Sequence, residues 1–359
     1  MLDRLPTELV AHILSFVDPP SPFHLTKPSS LHACCLVSKR IKVLAQPLLW
    51  RVLVLKEKAD FEAVKREAGA SGLGKQARVL EVKGSACQAV RVAEVLILVP
   101  KLVELRLESF VCDIDAPNEV DELLPHLAHL NRLAFELTDF PSALTAPVFP
   151  HLVSLALRDV FVQQELILDL LQPFHVPALR TLQLANLYDP GPPDHFLPVL
   201  PRELLDQVSV LHLDISELWY ADSAVFEHAH ILLATSFVSK LDEIEPSAFP
   251  FNKIRHLQIM PSSFDPSESS DAASFDTLLT RFAQNLPSLE LHTLLLPPHL
   301  HQPSLDLIRR NILDICRTKD IDVLWEGDVN EWRDTVWVSE QFCQLMEERK
   351  KSAATGSAG

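Results

Sequence analysis

A six-residue pattern, L-x-x-L-x-L or a close variant of it, recurs between residues 78 and 259. Full copies place leucines at 102, 105 and 107, at 152, 155 and 157, and at 179, 182 and 184. Variants run through Leu80, Leu133, Leu211 and Leu257. The central leucines of the seven copies lie 25, 28, 22, 27, 29 and 46 residues apart. Leucines two positions apart share one face of a strand. A period of ~20–29 residues is that of a leucine-rich solenoid, one strand and its return connection per repeat. The last interval holds about two such periods, so a degenerate repeat or an insertion is expected between 216 and 254.

The segments between copies agree. Prolines stand shortly before several strands (Pro100, Pro150, Pro177, Pro201, Pro287), where they close the preceding helix or loop. Amphipathic stretches occupy 163–171, 275–286 and 304–318. Short strands alternating with helices indicate an α/β chain with a parallel sheet and crossovers. Leucine makes up 62 of 359 residues and glycine only 8, so strand ends lack the glycine-rich phosphate turns of a doubly wound fold. Gly69, Gly72 and Gly74 precede a strand in the wrong order for a dinucleotide fingerprint and read as a loop. The ninth repeat position, normally Asn or Cys, holds Phe110, Thr138, Val160, Leu187, Ser216 and Ser262, so the solenoid should be irregular and without an Asn ladder. Residues 289–296 and 321–325 suggest two more strands. Residues 334–351 suggest a terminal helix whose Trp337, Phe342 and Leu345, with Trp325 and Trp332, cap the last repeat. The small polar tail 352–359 is expected to be disordered.

The first 58 residues differ from the rest. They carry eight basic and four acidic residues, a net of +4 that leaves −20 for the remainder of a chain whose total is −16. They read as three short helices. The first starts near Pro6 and Glu8, carries Leu9, Val10, Ile13, Leu14 and Val17 as an apolar stripe, and stops at Asp18-Pro19-Pro20. Ser29 or Ser30 can cap the second, with Leu31, Cys34, Cys35 and Leu36 apolar. Ser38 can cap the third, over 39–46, with Pro47 ending it, and residues 51–55 then alternate as a strand. A helical head of ~45 residues is near the limit for independent folding, which invites a partner to cover its apolar surface.

Residues 5–9 (L-P-T-E-L), 13–16 (I-L-S-F), 35–40 (C-L-V-S-K-R) and 45–50 (A-Q-P-L-L-W) resemble an F-box in order, spacing and helix breaks. The loop at 21–30 is longer than usual in that family, and Ile41 stands where many members carry Trp. The resemblance covers residues 2 to ~55. It implies a docking surface for the Skp-type adaptor of cullin–RING ubiquitin ligases, formed or supported by Leu5, Pro6, Leu9, Ile13, Leu14, Leu31, Cys35, Leu36, Val37 and Trp50. A positive head suits the acidic adaptor that the resemblance implies. The body's degenerate repeat is similar to a fungal group of F-box proteins with leucine-rich-repeat-like bodies. The expected organisation is a helical head at 1–50, a solenoid with its capping helix at 51–351, and a tail at 352–359.

In L-x-x-L-x-L the residues flanking the leucines point to the opposite, concave face. That row reads Glu81, Lys83, Glu104, Arg106, Glu108, Arg132, Glu136, Arg158, Gln183, His212, Asp214, His256 and Gln258, and it is the candidate surface for a protein target. Its mixed signs predict polar, salt-sensitive recognition.

Other functions find little support. A net acidic chain lacks the basic footprint of a nucleic-acid binder. The six cysteines are scattered without a C-x-x-C pair, so reduced thiols are expected. The His pairs 126/129, 228/230 and 299/301 have no ligand-spaced Cys or carboxylate beside them, and no metal or cofactor is expected. The acidic stretch 113–122 reads as a solvated loop, and no nucleophile motif occurs. The N-terminus does not read as a signal peptide, and the longest aliphatic run, 95–99, is far below the ~20 residues of a membrane span. The expected compartment is cytosol or nucleus. The expected function is the substrate-recognition subunit of a Skp–cullin–F-box ubiquitin ligase, without catalysis of its own. A leucine-rich interaction scaffold with no ligase role is the alternative.

Overall fold

The computed structural model describes residues 5–17, 29–84, 89–109, 123, 125–139, 148–188, 196–214, 221–237, 254–260, 280, 282–296, 298–301, 303–325, 342, 346 and 348. The chain divides into two compact units, Met1–Leu179 with Tyr188–Asp194, and Arg180–Leu187 with His195–Gly359.

The first unit pairs five parallel strands in sequence order: β1 (Val52–Leu55), β2 (Val79–Lys83), β3 (Glu104–Glu108), β4 (Arg132–Asp139) and β5 (Ser154–Phe161). Parallel neighbours cannot be joined by a tight turn, so each connection must cross over. Helix α4 (Lys58–Ser71) makes the crossover from β1 to β2, and α5 (Ala89–Leu98) that from β2 to β3. The repeat pattern sets the register: Leu80, Leu105, Leu133 and Leu155 form one row, and Val82, Leu107, Phe135 and Leu157 the next. All eight are buried. A slip of one residue would turn every one of them to the other face. Helix α6 (Gln164–Leu170) follows β5, close to the stretch that periodicity marks.

The second unit pairs six parallel strands in order: β6 (Thr181–Tyr188), β7 (Val210–Asp214), β8 (Leu232–Phe237), β9 (His256–Met260), β10 (Thr293–Leu296) and β11 (Asp322–Trp325). Its crossovers include α7 (Arg202–Gln207), α8 (Ser223–His228) and α9 (Asp306–Thr318). Strand β8 resolves the long interval in the repeat: a degenerate copy lies there, with Leu232 beside Leu211 and Ala234 beside Leu213.

Two backbone features of the first unit bear on how its strands and helices connect. The register row Lys83, Glu108, Glu136, Arg158 is followed on all four strands by a left-handed residue: Gly84 (φ 78°), Ser109 (57°), Leu137 (52°) and Asp159 (52°). Strands β2 and β3 end at this row, while β4 and β5 pass through the left-handed residue and pair again at Thr138–Val160 and Asp139–Phe161. Three of the four left-handed positions are held by non-glycine residues at a steric cost. The Gly69, Gly72 and Gly74 stretch is not the loop that the sequence suggests: Gly69 lies within α4, and Gly72 leads from that helix into a 3-10 turn, Leu73–Gln76, that holds Gly74. Gly72 ends α4 at φ 68°, and a side chain at Gly74 would place Cβ 2.1 Å from the Leu98 carbonyl oxygen.

The head forms α1 (Thr7–Ser15), α2 (Ser29–Val37) and α3 (Lys39–Leu49). Two boundaries differ from the sequence reading. Pro6 is the N-cap of α1, with ψ at 146°, and not its first helical residue. Pro47 lies inside α3, which runs on until Trp50 donates to the Gln46 carbonyl at 3.2 Å. Proline so near the C-terminal end of a short helix forfeits one hydrogen bond without ending it. Val10, Leu14, Leu31, Ile41 and Ala45 make the head's own core.

Candidate functional site

Much of the strand row expected to meet a target is buried. Glu104 and Arg106 are each 3% exposed, and Gln183, His212, Asp214 and Gln258 are no more open. Alternation correctly separates them from the leucine face, but at these positions the side chains are closed to solvent. In the first unit the cause is lateral pairing. The Glu104 carboxylate accepts from Arg106 at 2.5 Å and from Arg132 on the next strand at 3.1 Å. Long charged side chains laid along a sheet cover their own neighbours.

What remains reachable is narrower. Lys83, Glu108, Glu136 and Arg158 are half-buried and stand in one register row. Lys83 meets Glu108 at 3.1 Å, and Arg158 meets Glu136 at 3.4 Å. Arg132 is half-buried beside them. Burial pushes the Glu81 carboxyl up, against the pull of Lys83 and Arg106. Burial pulls the Lys83 ammonium down, but Glu81 and Glu108 outweigh it and the group ends above its ordinary value.

In the second unit the same face is covered by residues from beyond β11. Of the proposed terminal helix only Phe342, Met346 and Glu348 are described, all helical; Trp332, Trp337 and Leu345 lie outside the described residues. Phe342 is fully buried against Leu233, Leu295 and Leu324, with Met346 and Ile231 packed around them. It therefore covers the strand face from β8 to β11 and does more than close the end of the ladder. Its ring centroid lies 5.2 Å from that of His256. Burial, with His292 and Arg255 nearby, lowers the His256 imidazole to about 4.

On the head, α1 splits its apolar residues between two faces. Val10 and Leu14 enter the core, while Leu9 (45% exposed), Ile13 (37%) and Phe16 (68%) form an i, i+4, i+7 stripe in solvent. Helix α2 exposes Leu36 and Val37, and α3 exposes Val43. Leu31 is buried like Leu14, so both support the surface from beneath and do not form it. Leu5, Cys35 and Trp50 are half-buried, and Pro6 is exposed. Burial, then the neighbouring Cys34, pushes the Cys35 thiol up, so it stays protonated at neutral pH.

The basic block has a structural duty that the sequence does not announce. The Arg40 guanidinium donates to the Leu5 carbonyl at 2.6 Å and to the Thr7 hydroxyl at 3.1 Å, tying the start of α1 to α3. Ser38 caps α3 as its position suggests, accepting from the Ile41 amide at 3.2 Å. Residues 2–56 match the F-box-like family model. F-box domains bind Skp-type adaptors, and the match gives this head an adaptor-binding role in ligases of the Skp–cullin–F-box type. Comparison with curated proteins returned no match. Phe16 and Val43 join the exposed apolar set although sequence reasoning passed over them. Phe16 was findable, one helical step beyond Leu9 and Ile13.

Described histidines of two of these pairs make ordinary local contacts. His228 and His230 both approach Asp206, and the His301 ring lies tilted against that of Trp325 with centroids 4.2 Å apart. Among the described residues no group of three or more His, Cys, Asp or Glu is arranged to hold a metal ion. No described helix is long and apolar enough to cross a membrane.

Proposed function

We propose that this chain is the substrate-recognition subunit of a Skp–cullin–F-box ubiquitin ligase. Its F-box-like head docks on the Skp-type adaptor, and its leucine-rich-repeat-like body holds a protein target in the cytosol or nucleus. The chain contributes proximity and no catalytic group. Holding target and ubiquitin-transfer machinery together raises their effective concentration. The observation that carries the reading is the head's division of labour. One set of apolar side chains builds its core, and a second, Leu9, Ile13, Phe16, Leu36, Val37 and Val43, is left in solvent. Covering one such side chain fully is worth about 1.5–3 kcal/mol, so a few suffice for a stable interface. Target contacts fall to the half-buried charge row of Lys83, Glu108, Glu136 and Arg158, with Arg132 beside it.

Co-purification with the Skp-type adaptor tests the reading, wild type against a Leu9→Asp, Ile13→Asp double variant. Both side chains lie outside the head's core, so the variant keeps its fold. Wild type is expected to bind and the variant to lose at least ~10-fold in affinity, about 1.4 kcal/mol or more. A wild type that does not bind, or a variant that binds equally, refutes it.

A further inference from the structure

The second unit's polar strand face has an apolar centre. Leu233 lies in register with His256, and His256 with Thr293. One row further along, Gln258 lies in register with Leu295, and Leu295 with Leu324. Three leucines thus surround His256 and Gln258 on the face opposite the one that buries Leu257 and Leu294. Phe342 closes this trio completely, and Met346, four residues on, packs on the same cluster. An apolar pocket for one aromatic side chain, rimmed by polar groups, is the anatomy of an interface hot spot. An aromatic residue followed four positions later by an aliphatic one is the signature of a helix laid in a groove. Both anchoring residues come from outside the strand ladder, whose parallel pairing and leucine face are complete without them.

We propose that this pocket is the second unit's target-reading site. It takes an amphipathic helix of the target protein with an aromatic side chain at i and an aliphatic one at i+4. Phe342 and Met346 occupy it as an intramolecular competitor until the target displaces them. This rests on the receptor reading above for the identity of the displacing helix. Tethering sets the competitor's effective concentration on the order of millimolar, so only a target with a better-fitting helix opens the site.

The probe is a fluorescent peptide of this chain's own residues 336–351 with Cys343→Ser, titrated against full-length wild type and full-length Phe342→Ala. The variant is expected to bind it saturably, and wild type at least ~10-fold more weakly, because its site is filled. Adding Leu295→Asp to the variant should abolish binding. Equal binding to both proteins, or none to a folded Phe342→Ala protein, overturns the proposal. Native-state hydrogen exchange on wild type provides a test that needs no variant. Amides near 342–346 should exchange at least ~10-fold faster than those of β10 and β11, and release in one step with those strands would make the segment part of the core and overturn the proposal. Adaptor binding by Phe342→Ala should equal wild type. Loss of the peptide site with adaptor binding intact therefore sinks this proposal alone, and failure of wild type to bind adaptor sinks the receptor reading alone.

Discussion

Glu104 is where a plausible binding residue turns into a structural one, and the difference is measurable. Its carboxylate, 3% exposed, holds Arg106 at 2.5 Å and Arg132 at 3.1 Å. Replacing Glu104 with Leu leaves Arg106, equally buried, without that carboxylate. Removing one partner of a buried ion pair costs about 3–5 kcal/mol, because the charge left behind is poorly solvated. At about 2–4 °C per kcal/mol for a body of 150–250 residues, the first unit should melt about 6–20 °C lower. The assay is urea and thermal unfolding followed by circular dichroism, with hydrogen exchange of the β3 and β4 amides to assign the loss to this unit. The Glu104→Leu, Arg106→Met double variant should recover most of the loss, since apolar groups of similar volume replace a buried pair at little net cost. Arg132 is about one-fifth exposed in its side chain and can turn toward water. A single variant within about 1 kcal/mol of wild type, or a double variant as unstable as the single, would refute the reasoning. A loss of target binding at unchanged stability would return Glu104 to the recognition surface.

Three further outcomes follow from the same structure. The His256 imidazole, lowered to about 4 by burial, binds fewer protons in the folded chain than in the unfolded one between about pH 6.5 and 4. Its contribution is therefore complete above pH 6.5 and lost as pH falls, by at most about 1.4 kcal/mol per unit, and urea midpoints at pH 7 and 5 should converge less for wild type than for His256→Gln. If the two proteins show the same pH slope, the assignment is wrong. Leu137 is 54% exposed and held at φ 52°, so Leu137→Asn should be neutral or stabilising by up to about 1 kcal/mol while Leu137→Val destabilises by about as much, and a reversed order in thermal melts would count against the strained turn. Gly74→Ala should cost about 2–3 kcal/mol in the same measurement, because its Cβ meets the Leu98 carbonyl oxygen of α5, and a melt equal to wild type would show that α5 can move aside.

What the sequence disclosed and what it hid have physical causes. Spacing of leucines located the strands, because a fixed register demands a repeated apolar row. Ser38 and the L-P-T-E-L segment located the head's helices, because caps and helix starts are local chemistry. Pro47 misled, since a proline's cost depends on which carbonyl loses its donor. Burial of the charge row was invisible for another reason: alternation tells which face a side chain takes, and nothing about what lies over it. Glu104 is covered by Arg106 on its own strand and by Arg132 on the next, 2 and 28 residues away in sequence.

Strand β8 shows how one irregularity can hide an element and mark a site at once. Leu232 keeps the central position of the repeat, but Ala234 stands beside Leu213 where the next leucine belongs, and the displaced leucine, Leu233, falls in the polar row. Pattern matching passes over such a strand. A leucine stands in the same polar row at Leu295 of β10, beside core-facing Leu294 and Leu296, and at Leu324 of β11, and these three leucines are the ones that Phe342 covers. A leucine on a face built of His, Gln and Thr adds nothing to the repeat's own core, which lies on the other side. It is retained at a stability gain only if something apolar reaches it from outside the ladder. In a repeat chain, therefore, leucines that gather on the polar face of nearby strands point to the surface where the chain meets an aromatic side chain, its own or a partner's.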